Sequence, residues 1–452
     1  MKYPKIPPDR KSTLRGKSVK TEIFKYMGRA DVREYINSVN QRYLFWEELI
    51  HRSHPPKTKL ELLWQLIKFN RNSNIKSISI SKAKDFTFKY TITDAISHKL
   101  HEFDLNMGGT LRTQTLIPDE DKDMYLISSI MEEAIASSQL EGAVTSRKAA
   151  KEMLINDRKP INKSERMILN NYLANLKIKD LGRVKLTPKM ILDIHASLVK
   201  DTLDDKRFEG KFRISNDIHV VDNMTGKIFY NPPDYKRIPV LIRDFCEFAN
   251  KDDKESFIHP IIKASILHFL MGYIHPFIDG NGRTARALFY WYLISHGYWL
   301  LEYTSISKTI IRSPSQYARA YLYSELDEND LTYFVLYQIK KMDQALQDLK
   351  DYIKLEIKEK EALYDYIGVG GINSRQLYVL KKLSDQPKKT FTIRALQNKF
   401  GVVYQTARTD LLELEKLGFL QKRVVGKKKL LFIRASGFEG ILNRHLKKKG
   451  SK

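Results

Sequence analysis

Apolar residues recur at helical spacing through the middle of the chain. This pattern predicts helices at Leu126–Leu140, Ser164–Leu176, Pro188–Val199, Ile238–Asn250, Ile261–Ile274 and Arg283–His296. Two stretches interrupt it. One runs from Asp217 to Pro233, where turn residues between β-type residues predict a hairpin, and the other is a glycine-rich loop at 276–282. The pattern therefore predicts a mainly α-helical region from about 111 to 345.

The flanking regions have patterns of their own. Residues 29–70 carry apolar positions at helical spacing, and apolar residues alternate with polar ones from Ile78 to Tyr90, which predicts a short hairpin. A charged helical pattern at 335–364 predicts a connector. It ends at Gly368, Gly370 and Gly371, and three glycines in four positions interrupt a helix. The sequence thus divides into 1–110, of no assigned role, 111–345, 346–371 and 372–452.

The C-terminal segment predicts three helices followed by a basic hairpin. The helices lie at 372–386, 392–400 and 403–417, and the strands at 419–425 and 429–434. This order resembles a winged helix-turn-helix, in which Gln405, Thr406 and Arg408 would begin the recognition helix. The wing would comprise Lys422, Arg423, Lys427, Lys428 and Lys429 and would meet DNA phosphates. A basic protein-interaction domain of the same fold is the alternative.

Composition narrows the class of protein. The chain has 452 residues, of which 42% are hydrophobic and 29% charged, values of a soluble globular protein. Its net charge of +25 favours anionic partners, and residues 372–452 hold 20 Lys and Arg against 5 Asp and Glu, or +15 of that charge. A single cysteine, Cys246, excludes a disulfide framework within the chain. Met1 to Lys20 lacks the apolar run of a signal peptide, and no stretch is long enough to span a bilayer, so we expect a cytoplasmic protein without membrane contact.

The most informative string is His-Pro-Phe-Ile-Asp-Gly-Asn-Gly-Arg-Thr-Ala-Arg, residues 275–286. Pro276 disfavours helical geometry at His275, so the preceding helix should end there and leave the imidazole on a loop. Gly280 and Gly282 allow a tight turn, and a glycine-rich turn that leads into a helix N-terminus can hold phosphates.

Charged side chains complete this loop. Arg283 and Arg286 are three positions apart and share one face of the next helix, where they can contact further phosphates. Asp279 offers the hard oxygen ligand that suits a Mg²⁺ already bound to phosphate. Together with His275 as a base, these groups form a set for phosphoryl or nucleotidyl transfer.

The string matches every fixed position of the Fic-family motif H-P-F-x-x-G-N-G-R-x-x-R. The chain therefore resembles that family over roughly 111–345. The resemblance implies a mainly α fold, with a helical Fic core and a β-hairpin flap beside the C-terminal winged helix-turn-helix. It also implies transfer of AMP from ATP to a Ser, Thr or Tyr hydroxyl of a target protein. The chain itself is one candidate target.

The resemblance assigns roles by position. His275 would deprotonate the target hydroxyl, and Asp279 would bind Mg²⁺. Gly280, Asn281 and Gly282 would hold the phosphates, and Arg283 would steady the outgoing pyrophosphate. The hairpin with Val220 and Val221 would be the flap that docks the target chain, and Tyr317 would line the adenine side.

A second string, Ser137-Ser138-Gln139-Leu140-Glu141-Gly142, matches the family's inhibitory pattern S/T-x-x-x-E-G/N. Gly142 suits the left-handed position that ends a helix. By resemblance, Glu141 would pair with Arg286, remove that guanidinium from the γ-phosphate and leave ATP bound unproductively. Glu141 could instead position a water molecule for removal of AMP.

Other readings stay open at this point. One is a DNA-binding regulator in which the Fic core senses nucleotide or modifies only itself. Another keeps the fold but transfers UMP or phosphocholine. The sequence leaves the target protein, the DNA site and homo-oligomerisation undecided.

Overall fold

The computed structural model describes residues 2–15, 17–81, 86–108, 117, 121–221, 226–251, 257–367, 372–425 and 429–447. Within them the chain is mainly α-helical, as predicted. The helices are α1 (Arg10–Thr13), α2 (Lys17–Met27), α3 (Ala30–Arg42), α4 (Trp46–Leu49), α5 (Leu60–Asn72), α6 (Asp94–Met107), α7 (Lys122–Leu140), α8 (Arg147–Ile155), α9 (Lys163–Asp180), α10 (Pro188–Val199), α11 (Ile238–Asn250), α12 (Pro260–Ile274), α13 (Asn281–Ser295), α14 (Ile306–Ile311), α15 (Pro314–Leu326), α16 (Thr332–Ile367), α17 (Ser374–Asp385), α18 (Ile393–Phe400), α19 (Tyr404–Lys416) and α20 (Phe438–Lys447).

The strands are β1 (Lys76–Ser79), β2 (Thr87–Tyr90), β3 (Val220–Val221), β4 (Ile228–Tyr230), β5 (Thr390–Phe391), β6 (Leu420–Val425) and β7 (Lys429–Arg434). Strands β1 and β2 form one antiparallel hairpin, and β3 and β4 form another. The last three strands form a sheet of order β5-β7-β6. Short 3₁₀ turns lie at Lys206–Phe208, Tyr235–Arg237 and Trp299–Tyr303. None of the helices in the described part of the chain combines the length and hydropathy that crossing a bilayer requires.

The chain forms two compact units. Unit 1 combines Met1–Thr110, Lys177–Leu301 and Thr309–Asp343, and unit 2 combines Leu111–Leu176, Glu302–Lys308 and Gln344–Lys452. The N-terminal region therefore folds with the glycine-rich loop, and α7 folds with the C-terminal module. Both units combine segments that the sequence pattern separates.

The centre of unit 1 is α12. Every residue from Ile261 to Met271 is buried, as expected of a helix that is apolar on all sides. His259 caps its start by accepting the N–H of Ile261, and Pro260 occupies the first helical position, where its missing N–H does no harm. α13 packs along α12, and α10 and α11 pack against these two helices.

Buried polar contacts tie the N-terminal region to the rest of unit 1. The guanidinium of Arg71 donates to the hydroxyl of Tyr333 at 2.7 Å and lies 3.9 Å from the ring centroid of Tyr43. The hydroxyl of Tyr43 donates to Asp330 at 2.7 Å, and Lys68 Nζ lies 2.7 Å from the carboxylate of Asp327. Charged groups without water need such partners, so these contacts specify where the N-terminal helices pack.

In unit 2, α7, α8 and α9 share an apolar core that includes Met131, Ile135, Met153 and Ile168. The helices and hairpin of the C-terminal module lie where the sequence predicts them, whereas β5 and α20 had no prediction. Helix α18 packs against α7 and α8. The predicted boundary at 368–371 and the wing residues 426–428 lie outside the described residues.

Candidate active site

The loop 275–280 connects the two central helices of unit 1. Helix α12 ends at Ile274, as the following proline predicts, and His275 takes the left-handed conformation with φ 48°. Such a φ is uncommon for a residue other than glycine and needs support from its surroundings. Helix α13 begins at Asn281, immediately after Gly280.

Arg213 supplies that support. Its Nε donates to the carbonyl of His275 at 2.9 Å, and its backbone N–H donates to the carbonyl of Pro276 at 2.9 Å. The other end of the guanidinium donates to the carbonyls of Ser215 and Pro233, which flank the β3–β4 hairpin. One buried side chain therefore holds the loop against the base of the hairpin.

The imidazole of His275 is oriented by its own helix. Its Nδ1 lies 3.2 Å from the carbonyl oxygen of Gly272, which can only accept a hydrogen bond. Nδ1 is therefore the protonated nitrogen, and Nε2 keeps its lone pair. The side chain is only partly buried, so that lone pair can serve a proton donor from outside.

A second histidine, His195, fixes the other side of the loop. Its Nε2 donates to the backbone carbonyl of Asp279 at 2.9 Å, while its Nδ1 accepts the N–H of Gly210 at 3.1 Å. The ring stacks on Phe277 with centroids 3.7 Å apart. Burial lowers the pKa of His195 to about 4, so it is neutral at neutral pH.

The turn into α13 requires glycine at position 280. Gly280 has φ 83°, and a Cβ there would lie 2.7 Å from Cγ1 of Val199. The side chain of Asn281 accepts the N–H of Phe277 at 3.0 Å and donates to its carbonyl at 2.9 Å. Asn281 thus closes the loop with its side chain, so a ligand would meet its backbone N–H.

The arginines of α13 are buried beneath the loop. Arg283 donates from Nη1 to the carbonyl of Leu198 at 3.2 Å, and its Nη2 lies 3.3 Å from the carboxylate of Asp279. That ion pair lacks hydrogen-bond geometry, and the buried Nε and Nη2 have no hydrogen-bond partner. Buried donors without an acceptor are costly, so Arg283 fits an anionic ligand. Arg286 is also buried.

Residues 185–293 match the family model described as Fic/DOC family. Over these residues the chain is similar to the Fic/DOC family. The matched segment contains the whole loop, Arg213, His195 and the β3–β4 hairpin.

Curated relatives carry the name protein adenylyltransferase Fic. The relative from Drosophila willistoni is 33% identical over 116 residues, which cover 26% of this chain and 21% of the relative. The relative from Drosophila virilis is 31% identical over 116 residues, 26% of this chain and 22% of the relative. The chain therefore spans about a fifth of the length of the curated relatives it matches.

Solved Fic structures are more distant. A Fic family protein from Desulfovibrio desulfuricans G20 is 18% identical, with a TM-score of 0.48, and the match covers 77% of this chain and 98% of that one. Fic-1 from C. elegans, residues 134–508, is 16% identical, with a TM-score of 0.48, and covers 76% and 94%.

Tyr317, predicted beside the adenine, is anchored near the Fic motif. His268 Nδ1 accepts a hydrogen bond from Gln338 at 3.0 Å, so its Nε2 donates to the hydroxyl of Tyr317 at 2.8 Å. Burial, and then the nearby Arg286, lower the pKa of His268 to about 3. A neutral His268 beside Arg286 therefore orients Tyr317.

The predicted flap is a hairpin. Val220 and Val221 of β3 pair with β4, and Val221 is exposed. An exposed strand edge is a surface to which an extended chain can add. The turn residues Asp222 and Asn223 lie outside the described residues.

The predicted inhibitory string ends α7 in unit 2. Gly142 has φ 93°, the N–H of Ala143 bonds to the carbonyl of Ser138, and the N–H of Gly142 bonds to Gln139. These two bonds make a Schellman motif, which fixes Glu141 at the end of the helix. Ser137 is buried, whereas Glu141 is partly exposed. The pairing of Glu141 with Arg286 stays a prediction.

Sequence reasoning missed His195 and Arg213, which position the loop without belonging to its motif. Both contact the loop across more than sixty positions of sequence, and no local pattern marks them. The side chain of Asn281 bonds to Phe277, so its predicted contact with phosphate stays a prediction for the backbone N–H.

Proposed function

We propose that this chain is a protein adenylyltransferase, which transfers AMP from ATP to the hydroxyl of a Ser, Thr or Tyr on a protein. The observation that supports it most is the complete Fic motif, folded as a loop and the start of α13, with a tautomer-fixed His275 and a buried Arg283 whose Nε and Nη2 have no hydrogen-bond partner. The name of the curated relatives agrees with this activity.

His275 is the proposed general base. Its Nε2 takes the proton of the target hydroxyl, whose oxygen attacks the α-phosphorus of ATP. A new O–P bond joins AMP to the target, and the bond between the α-phosphorus and the bridging oxygen breaks. Pyrophosphate leaves, and His275 later returns its proton to solvent. Tyr317 would line the adenine side.

The remainder of the loop binds the phosphates. The N-terminus of α13 offers backbone N–H groups from Asn281 and Gly282, and its dipole favours negative charge. Nε and Nη2 of Arg283 donate to the phosphate that becomes pyrophosphate, and Arg286 serves the γ-phosphate. Fixed donors stabilise charge that develops as the bridging bond breaks.

Asp279 is the proposed ligand for Mg²⁺. Its carboxylate is 46% exposed, and one of its oxygens accepts the N–H of Gly280. A single exposed carboxylate suits an ion that takes its other ligands from ATP and water. When bound, Mg²⁺ would neutralise phosphate charge.

We further propose that Glu141 restrains this activity. Its carboxylate would pair with Arg286 and so remove a donor from the γ-phosphate. The Schellman motif at Gly142 gives Glu141 a defined position on α7, as a specific restraint requires. The same carboxylate could direct water to an AMP-modified target, so removal of AMP belongs to the proposal as the reverse function.

The test is intact-mass analysis after incubation with ATP and Mg²⁺. Glu141→Ala should gain the mass of AMP, and the double variant Glu141→Ala/His275→Ala should not. The matched control is Glu152→Ala, an exposed glutamate of α8 that should behave as wild type. Equal labelling of all four proteins would contradict the proposal. Addition of UMP or phosphocholine from their own donors would assign another reaction.

A DNA-binding regulator is the second candidate, in which the Fic core senses nucleotide or modifies only itself. The C-terminal module favours it because Gln405 and Arg408 of α19 and Lys422 and Arg423 of β6 are exposed. Labelled duplex DNA should bind with an affinity that falls steeply with salt, and Arg408→Ala should weaken it. Absent or salt-independent binding would favour a protein-interaction module.

The cysteine agrees with a reducing, cytoplasmic location. Cys246 is buried and unpaired, and burial raises the pKa of its thiol to about 12. It therefore stays protonated and inert, as a core residue.

A further inference from the structure

A large cavity of unit 1 lies away from the glycine-rich loop 275–280, here called the Fic loop. It has a volume of about 1140 Å³ and is lined by all of β1, the end of α11, the start of α12, the end of α13 and residues 183–185. The Fic loop lies at the opposite end of α12 and α13. Fifteen helical residues place the two ends about 20 Å apart. This groove is therefore separate from the proposed catalytic site.

The described lining of the groove is cationic. It contains five Lys and Arg side chains and no carboxylate: Lys76, Arg183, Lys185, Lys251 and Lys263. Lys76 and Lys185 are exposed. The N-terminus of α12 opens here at Pro260 and adds a partial positive charge. An anionic partner complements this surface.

One wall of the groove is a strand with an open edge. β1 pairs with β2, and the other edge of β2 bonds to Asn329 and Leu331 through Lys89. In the described part of the chain no strand pairs with the outer edge of β1. All four β1 residues line the groove, a wall of about 13 Å. Unpaired N–H and C=O groups on such an edge accept an extended chain.

Two further side chains suit a peptide. Trp291 lines the groove and is buried, and its indole N–H has no acceptor in the structure. Buried indole N–H groups usually find a partner, and a peptide carbonyl or carboxylate can supply one after a small shift of the ring. Phe257 is 66% exposed at the same groove and offers an apolar contact.

We propose that this groove binds an extended acidic segment of another protein, which adds as a strand to the outer edge of β1. Main-chain hydrogen bonds to β1 provide part of the affinity. Asp or Glu side chains of the partner meet Lys76 and Lys185, and an apolar side chain meets Phe257. The site does not depend on adenylyl transfer, because none of its residues belongs to the Fic loop.

The test uses defined peptides and the full chain. Fluorescence anisotropy would measure a labelled peptide of alternating Glu and Val, the same length of alternating Lys and Val, and the Glu-Val peptide N-methylated on alternate residues. The first should bind, and the other two should bind at least about tenfold more weakly, because charge and strand pairing are both required. Hydrogen exchange should slow at residues 76–79 when the first peptide is present.

A pair of variants separates this groove from general positive charge. Lys185→Glu should lower the affinity for the Glu-Val peptide about tenfold. Lys189 is an exposed lysine four residues further on, and Lys189→Glu should leave that affinity unchanged. Both side chains are exposed, so both variants should fold. The proposal is overturned if the Glu-Val peptide shows no saturable binding, if the two variants weaken it equally, or if β1 exchange is unaffected.

Discussion

Arg213 holds the backbone of His275 through a hydrogen bond of 2.9 Å from its Nε to the carbonyl oxygen. The same guanidinium donates to the carbonyls of Ser215 and Pro233, which flank the β3–β4 hairpin. The proposed base occupies a left-handed conformation, and this contact stabilises it. Arg213 is thus a positioning residue that links the proposed base to the β3–β4 hairpin.

Replacement of Arg213 by Met should separate positioning from binding. In the Glu141→Ala background we expect the rate of AMP transfer to fall about 100-fold, because a base that moves by about 1 Å loses its alignment with the target hydroxyl. The affinity for ATP should change little, because Arg213 bonds to backbone carbonyls of the loop and of the segment beside the β3–β4 hairpin and not to the α13 arginines. Single-turnover mass analysis and calorimetric titration with ATP measure the two effects.

Arg207→Met is the matched control. Arg207 is exposed and pairs with Asp205 in a local turn, so its loss should change neither rate nor affinity. A full rate in Arg213→Met would show that the clamp is dispensable.

Arg283→Gln should reveal whether the unsatisfied donors of Arg283 await a ligand. Without ATP we expect the melting temperature to change by only a few degrees, because the loss of the hydrogen bond to Leu198 is offset by the removal of two buried donors that lack hydrogen-bond partners. ATP should then bind roughly 10-fold to 100-fold more weakly, because a charge-assisted contact to phosphate is lost. Thermal shift with and without ATP measures both.

Arg243→Gln, at an exposed arginine of α11, is the control and should keep the full ATP-induced shift. A large loss of stability in Arg283→Gln without ATP would make Arg283 a structural residue.

His195 should make the free energy of unfolding fall as the pH is lowered. Its folded pKa of about 4 lies below the ordinary value of 6.5, so the neutral form is the one the fold requires. That stabilisation is complete above the unfolded value and is lost as pH falls from about 6.5 towards 4. Between pH 7.5 and 5 we expect His195 to lower the free energy of unfolding by roughly 2 kcal/mol.

Denaturant unfolding of wild type and His195→Gln at the two pH values measures the contribution of His195 to the free energy of unfolding. Gln retains a donor for the carbonyl of Asp279 and does not titrate, so the variant should lose less stability on acidification. His268, whose pKa is about 3, should contribute the same effect to both proteins and cancel. An identical pH dependence in both proteins would rule out the assignment to His195.

The elements of this fold that sequence predicts well are set by local rules. Helices α10 and α11 begin and end where the pattern places them, because Pro188 and Asn250 mark a first helical position and a helix end. The end of α12 before Pro276 and the left-handed Gly142 are likewise local. The motif from His275 to Arg286 is likewise a local string, and it predicts the candidate site.

Contacts between distant segments are what the sequence leaves out. In the sequence, nothing distinguishes His195 from the other residues of the amphipathic helix α10. Only the fold brings its ring to the backbone carbonyl of Asp279. Strand β5 has two residues, too few for a period-two pattern, and it exists because β7 pairs with it. The division into two units depends on packing in the same way, since it joins α7 to a module that follows it by more than two hundred residues.

That packing gives a last prediction, at Gly401. Gly401 ends α18 with φ 68°, and a Cβ there would lie 2.9 Å from Cγ1 of Ile127 and 3.1 Å from the backbone oxygen of Asp123. Both residues belong to α7. Gly401→Ala should therefore push the C-terminal module away from α7 and speed hydrogen exchange along that helix. If α7 presents Glu141 as a restraint, self-modification with ATP should also rise.

Gly418→Ala is the control that shares the backbone strain without the contact. Gly418 has φ 85°, and its added Cβ would meet only the terminal carbon of Ile441, a flexible side chain of the same module. Both variants should lose about 1 kcal/mol of stability from the left-handed conformation, but only Gly401→Ala should raise exchange in α7. If the two variants exchange equally in α7, packing of the C-terminal module does not protect that helix. The comparison isolates this contact because both variants carry the same backbone strain, whereas only the methyl group at position 401 meets α7.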